Sequence, residues 1–143
     1  MSHLFIFTPS IWIGEGKISI TGSTEFIKFY TKWTFVQETT SKIKGTHIVE
    51  MQDVSEHVIN AFDFSAITSH SFNLQMRNDI VGTIDGTGVI EPKVIAWEFR
   101  QSTTFEGFEV YELQENEDYL LHAEYASPDQ IRTIIEGRIW KKG

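Results

Sequence analysis

Four segments of the chain alternate between apolar and polar residues, and this alternation limits the possible folds more than any other feature. The segments are 27–37, 72–78, 94–100 and 119–126. In the third of them, Ile95, Trp97 and Phe99 are separated by a small or charged residue at each even position. Because successive side chains of a strand point to opposite faces, each segment is predicted to be a strand with one face in a core and one in solvent.

Weaker strand patterns fill the intervals between these four segments. They are 11–13, 17–21, 43–51, 58–65, 80–84, 105–114 and 131–141. Turn-like residues such as Thr21-Gly22-Ser23 separate them, so most connections are short enough for hairpins. The pattern predicts an all-β fold, a single antiparallel up-and-down β-barrel of about 8–10 strands, because closure removes both exposed edges. One or two helical turns over 52–60 are the alternative for that segment, with Asp53 or Ser55 as N-cap.

Length and charge exclude several classes of protein. The 143 residues are predicted to form one domain, 1–143. The sequence carries 20 acidic and 12 basic side chains, and this excess of acid argues against nucleic acid as a partner. The absence of cysteine excludes disulfides and thiolate zinc sites. No apolar run has the length of a membrane helix and the first residues lack a signal-peptide pattern, so we expect a cytoplasmic protein without membrane contact.

The residues predicted to face the barrel interior are large and aromatic. A barrel of this strand number either fills its interior with side chains or encloses one small ligand, and alternation alone does not separate the two cases. We predict that the interior binds a small hydrophobic or amphipathic molecule without catalysis, since aromatic-lined cavities are typical of such sites. The predicted binding residues on these strands are Trp33, Phe35, His47, Trp97, Phe99, Tyr119 and Tyr125.

Both ends of the sequence carry short motifs. Trp12-Ile-Gly14-Glu-Gly16 precedes the long second strand, and Gly137-Arg138-Ile139-Trp140 closes the last one. Together with the strand pattern they resemble the calycin barrels, which include lipocalins, fatty-acid-binding proteins and nitrobindin-like haem proteins. The resemblance implies that Arg138 and Trp140 match the Arg-x-aromatic pair that grips a ligand carboxylate in fatty-acid-binding proteins. The tight turn at 21–23 leaves no room for the helical lid of that family, so the likeness is to lidless calycins.

The last strand allows two orientations. Ile135 and Ile139 share one face and Arg138 lies on the other. Ordinary burial sends the isoleucines inward and the arginine into solvent. A ligand-binding Arg138 requires the reverse, with an outward stripe of Ile131, Ile135 and Ile139 that a second copy would cover in a homodimer.

Two further functions remain alternatives at this point. The first is an enzyme of the decarboxylase, cyclase or isomerase type, recognisable by an interior carboxylate with a raised pKa beside a tyrosine. The second is a non-catalytic dimerising interaction module. No metal-binding or nucleophile motif is present; His47 is predicted to be a hydrogen-bonded core histidine, with a haem at this residue as the alternative. The acidic run 106–118 is interpreted as a solvated hairpin, with a surface for a cation or a basic partner as the alternative.

Overall fold

The computed structural model describes residues 3–100, 105–126 and 131–143, and they form a closed barrel of ten antiparallel strands. Each strand pairs with its neighbours in sequence, and the last strand closes onto the first. The strands are β1 (Ser10–Ile20), β2 (Phe26–Thr39), β3 (Lys42–Met51), β4 (Val58–Ser65), β5 (Ser71–Asn78), β6 (Gly82–Glu91), β7 (Val94–Phe99), β8 (Glu106–Leu113), β9 (Tyr119–Ala126) and β10 (Arg132–Lys141). The predicted all-β, up-and-down barrel is confirmed.

Two local expectations are corrected. The described residues contain no helix, and 52–57 form a turn and a loop before β4. No helix of the described part of the chain is therefore long and apolar enough to cross a membrane. The strand β1 is unbroken, with continuous pairing to β2 and β10. The two strand patterns predicted at 11–13 and 17–21 are therefore one strand, and at Gly16 its backbone approaches that of β10 so closely that a Cβ would overlap the carbonyl oxygen of Glu136.

The N-terminal segment closes one end of the barrel, which we call the plugged end. Residues 3–9 precede β1 there, and Phe5 and Ile6 are fully buried, with 0 % of their surface exposed. The Phe5 ring lies 4.8–5.8 Å from the rings of Trp12, Trp33, Phe35, Tyr111 and Tyr119. The opposite end, which we call the distal end, carries the β1–β2, β3–β4 and β5–β6 turns. We call residues 3–9 the plug. With the plug in place, the aromatic core extends from the middle of the barrel to the plugged end.

The last strand takes the orientation that ordinary burial favours. Ile139 faces the interior and is 1 % exposed, and Ile135 is partly buried on the same face. Arg138 lies on the outer surface, where its guanidinium is 3.7 Å from Asp118 and 4.8 Å above the Trp140 ring. An inward Arg138 would have to leave water without a countercharge, which explains why this side of the strand faces out. Of the isoleucine stripe on which the homodimer was predicted, Ile135 and Ile139 therefore face inward, whereas Ile131, which precedes the strand, is 46 % exposed.

Candidate ligand-binding site in the distal half of the barrel

Much of the predicted aromatic lining forms a packed core. Trp33, Phe35, Phe99 and Tyr119 are each at most 2 % exposed. Trp33 stacks on Phe35 at 5.3 Å, and its other neighbours include the plug. Trp33, Phe35 and Tyr119 therefore fill the interior in the half of the barrel near the plugged end, and Phe99, the last residue of β7, fills it nearer the distal end, as the alternative interpretation of the sequence holds.

Polar side chains also face the interior, and they extend from within this core toward the distal end. We call them the polar belt, and they lie on seven strands: Thr31, His47, Asn60, Asn78, Trp97, Glu109, Tyr111 and Tyr125. Half-buried apolar side chains that also face inward lie beyond them toward the distal end, among them Ile18, Val49, Met51, Val58 and Ile135. The belt thus has an aromatic core on one side and a less densely buried apolar region on the other.

Glu109 is the one acidic side chain of the belt, and it is 9 % exposed. The Tyr111 hydroxyl donates to its Oε1 at 2.6 Å, and the Tyr125 hydroxyl donates to its Oε2. Burial raises the pKa of Glu109, although the two phenolic hydrogen bonds lower it in part. A carboxyl group whose pKa is raised by burial keeps its proton to a higher pH than an exposed glutamate does.

Glu109 is buried, so its predicted place in a solvated hairpin is wrong. Glu109, Tyr111 and Leu113 occupy alternate positions of β8 and share its inward face. That period-2 pattern with a tyrosine and a leucine was the signal for burial, and the density of acidic residues around it obscured the pattern.

A chain of hydrogen bonds fixes the orientation of His47. Asn78 Oδ1 accepts from the backbone amides of Ile80 and Val81 at 2.9 and 2.8 Å, so its Nδ2 must point into the barrel. That Nδ2 donates to Asn60 Oδ1 at 2.8 Å, which directs the Asn60 Nδ2 to His47 Nδ1 at 3.3 Å. Since Nδ1 accepts, the neutral imidazole carries its proton on Nε2.

The His47 ring is neutral at physiological pH. It stacks on Trp33 with centroids 4.1 Å apart and an angle of 19° between the rings. Burial lowers the pKa of His47 to about 3. Nε2 has no hydrogen-bond partner among the described residues, so its N–H is a donor available to a ligand.

These contacts do not suit iron ligation by His47. A haem iron binds an unprotonated nitrogen, and the amide chain leaves the proton on Nε2. Within the described residues no group of three or more His, Asp or Glu side chains is arranged to hold a metal ion.

Two further polar atoms of the belt are fully buried without a partner among the described residues. They are the indole N–H of Trp97 and the hydroxyl of Thr31, on side chains 2 % and 7 % exposed. Trp97 lies directly across from Glu109 in the β7–β8 register. Buried polar groups in native proteins are nearly always hydrogen-bonded, so these two atoms have hydrogen-bonding capacity that the described residues leave unused.

The distal end is rimmed by exposed apolar side chains. Ile20, Ile27, Val54 and Ile80 lie at or next to the turns of that end, and Ile80 is 81 % exposed. A cluster of exposed apolar residues around the end of a barrel is typical of an entrance for apolar or amphipathic molecules.

The predicted binding residues therefore separate into three groups. His47, Trp97 and Tyr125 belong to the polar belt; Trp33, Phe35, Phe99 and Tyr119 belong to the packed core; and Arg138 and Trp140 lie on the outer surface. The structure adds Thr31, Asn60, Asn78 and Glu109, which the sequence did not identify as site residues, and it places beside them Tyr111, one of the tyrosines that the enzyme alternative offers as phenols.

No protein-family model matches the chain, and no curated protein matches it. The closed ten-strand antiparallel barrel is compatible with a calycin-like fold. The function is therefore argued from the geometry of the polar belt.

Proposed function

We propose that this protein is a calycin-like barrel that binds a small amphipathic molecule in its distal half. The polar end of the molecule contacts the polar belt, and its apolar part extends past Ile18 and Ile135 toward the rim. The observation that carries the proposal is that two buried atoms, Trp97 Nε1 and Thr31 Oγ1, have no hydrogen-bond partner in the part of the chain that the structure describes. Leaving such groups without a hydrogen bond costs about 1–3 kcal/mol each, and a ligand that pairs with them removes that cost.

The test compares native and denaturing mass spectrometry of freshly purified protein. We expect native spectra to show added mass that is absent after denaturation, because the ligand is held only by non-covalent contacts. Trp97→Phe keeps an aromatic ring but removes the indole N–H, so its occupancy falls. Trp140→Phe on the outer surface is the matched control and keeps the occupancy of the unmodified protein.

Two results would contradict the proposal. One is equal occupancy in Trp97→Phe and Trp140→Phe. The other is a protein free of added mass whose melting temperature does not rise with any member of a panel of neutral, anionic and cationic amphiphiles, since binding to the native state stabilises it.

A second function, an isomerase-type enzyme on the same site, is favoured by one specific observation. An interior carboxyl group with a raised pKa beside two phenols is the combination that identifies candidate acid–base residues. In this role Glu109 would remove a proton from carbon next to a carbonyl group and return one, with no net change in its own charge.

Deuterium exchange distinguishes the enzyme from the binding protein. If the site catalyses proton transfer, a bound ketone incubated with the protein in D₂O gains deuterium next to its carbonyl, and Glu109→Gln abolishes this exchange while the ketone still binds. Binding without exchange in the unmodified protein leaves the non-catalytic function as the better proposal. The amide of glutamine keeps the shape of the side chain but cannot carry the proton.

A further inference from the structure

We infer that the polar group this site accepts is uncharged and rich in hydrogen-bond acceptors, such as an amide, ester or ketone, and is not a carboxylate. The inference rests on the proposed function, because it names the chemical class of ligand for the same site. It departs from the carboxylate ligand that the terminal motifs suggest by resemblance.

The polar groups of the belt that have no partner among the described residues are all able to donate a hydrogen bond. Trp97 Nε1 is a donor only, and it is buried without a partner among the described residues. The chain from Asn78 through Asn60 leaves a second donor, the His47 Nε2–H. Thr31 adds a hydroxyl that can also donate. A carbonyl oxygen accepts two hydrogen bonds and is complementary to such a set.

The belt also has no countercharge for a carboxylate in the part of the chain that the structure describes. Among the described strand residues that face the interior, Lys141 is the only lysine or arginine. It is exposed and lies at the plugged end, opposite Trp12 in the register. Arg138, the predicted partner of a carboxylate, lies on the outer surface against Asp118. A buried anion without a cation is strongly disfavoured, and neutral donors alone do not replace its hydration.

The belt already contains one carboxyl group, which disfavours the binding of a second one. Glu109 lies across from Trp97 and accepts from Tyr111 and Tyr125. Ionisation of Glu109 beside a bound carboxylate would place two negative charges in one apolar enclosure, which raises the free energy of that complex further.

The experiment compares three probes with the same apolar chain: decanamide, decanoate and decylamine. Their dissociation constants for the unmodified protein are measured by isothermal titration calorimetry at several pH values between about 6 and 8. We expect decanamide to bind at least about tenfold more tightly than decanoate at neutral pH. We also expect decanoate to weaken by about tenfold for each pH unit, because only its protonated form enters the site, while decanamide binding stays constant.

The outcomes separate the inference from the proposed function. Decanoate that binds as tightly as decanamide with no dependence on pH overturns the inference and leaves the binding function intact. Decylamine as the tightest probe also overturns it, since the belt would then be a cation site built on ionised Glu109. Failure of all three probes overturns the proposed function and the inference together.

A pair of variants links the preference to the belt. Trp97→Phe removes one donor, and we expect it to weaken decanamide about tenfold, the effect of one lost hydrogen bond in a buried site. Trp140→Phe is the control and leaves the constant unchanged. Thermal unfolding of both variants establishes that they are folded, and equal decanamide affinities in two folded variants contradict the assignment of Trp97 as a donor.

Discussion

Replacing Phe5 with alanine is expected to lower the free energy of unfolding by about 3–5 kcal/mol, the range for a fully buried phenylalanine. The Phe5 side chain is 0 % exposed and contacts five aromatic residues of the barrel. Its removal leaves a cavity bordered by rigid rings, which cannot easily move to fill it. The expected loss is a large part of the stability of a typical domain of this size.

Leu4→Ala provides the matched control for this prediction. Leu4 precedes Phe5 in the same segment but is 41 % exposed, so its truncation is expected to cost about 0.5 kcal/mol or less. Urea denaturation followed by tryptophan fluorescence measures both variants. A Phe5→Ala protein as stable as Leu4→Ala would show that the segment does not plug the barrel in solution.

The plug also limits the routes by which the proposed ligand could reach the polar belt. His3 ties the segment to the barrel, because its Nε2 donates to the carbonyl oxygen of Glu91 at 2.6 Å and its Nδ1 accepts from the Tyr119 hydroxyl at 2.5 Å. Thr8 closes a turn onto Leu4 through its backbone amide and its hydroxyl, at 3.2 and 2.7 Å. With one end closed by these contacts, the apolar rim of the distal end is the entrance that the proposed function requires.

The strands were predictable because their signal is local. In β7, alternation of Ile95, Trp97 and Phe99 with small or charged residues already implies one buried face, and the structure buries all three. Turn residues between such segments imply hairpins, and consecutive hairpins with no helix between them imply an up-and-down barrel. These inferences need no knowledge of distant contacts.

The composition of the belt was not predictable in this way, because it depends on which distant residues meet. Nothing in the segment 3–9 indicates that Phe5 packs against Tyr111, which is more than a hundred positions later. The relay from Asn78 to His47 joins β5, β4 and β3, and its direction is set by two backbone amides in a turn. Only the barrel register brings these groups together.

For the last strand, the resemblance and the burial pattern predicted opposite orientations. The motif around Arg138 suggested an inward ligand anchor, whereas the burial pattern of Ile135 and Ile139 suggested the opposite. The structure follows the burial pattern. The short motif therefore predicted the orientation of the strand less well than the burial pattern did. The pattern reflects the free energy gained by burying isoleucine and by keeping a guanidinium hydrated.

The second large effect that we expect is a loss of stability at low pH, caused by His47. Its pKa is about 3 in the folded protein against 6.5 in the unfolded chain, because burial disfavours the charged ring. Between these two values the unfolded state binds a proton that the folded state does not. The free energy of unfolding therefore falls as pH decreases from about 6.5, by up to about 1.4 kcal/mol for each pH unit. The stabilisation is fully present above the unfolded pKa.

Glu109 acts in the opposite direction and has to be separated from this effect. Its pKa is raised in the folded state, so its contribution to stability is complete below the unfolded pKa and is lost as pH rises through the folded value. Because Glu109 is common to the unmodified protein and a His47→Gln variant, the difference between their unfolding free energies reports His47 alone.

We therefore expect the unmodified protein to lose stability relative to His47→Gln as pH falls from about 6.5 to 4, by a total of about 2–3 kcal/mol. Urea denaturation at several pH values measures the difference, and His70→Gln, at an exposed position, is expected to follow the unmodified protein. Parallel curves for the unmodified protein and His47→Gln would mean that His47 titrates as a solvated residue. Its Nε2–H would then not be a fixed donor, and the relay from Asn78 would lose its role in ligand recognition.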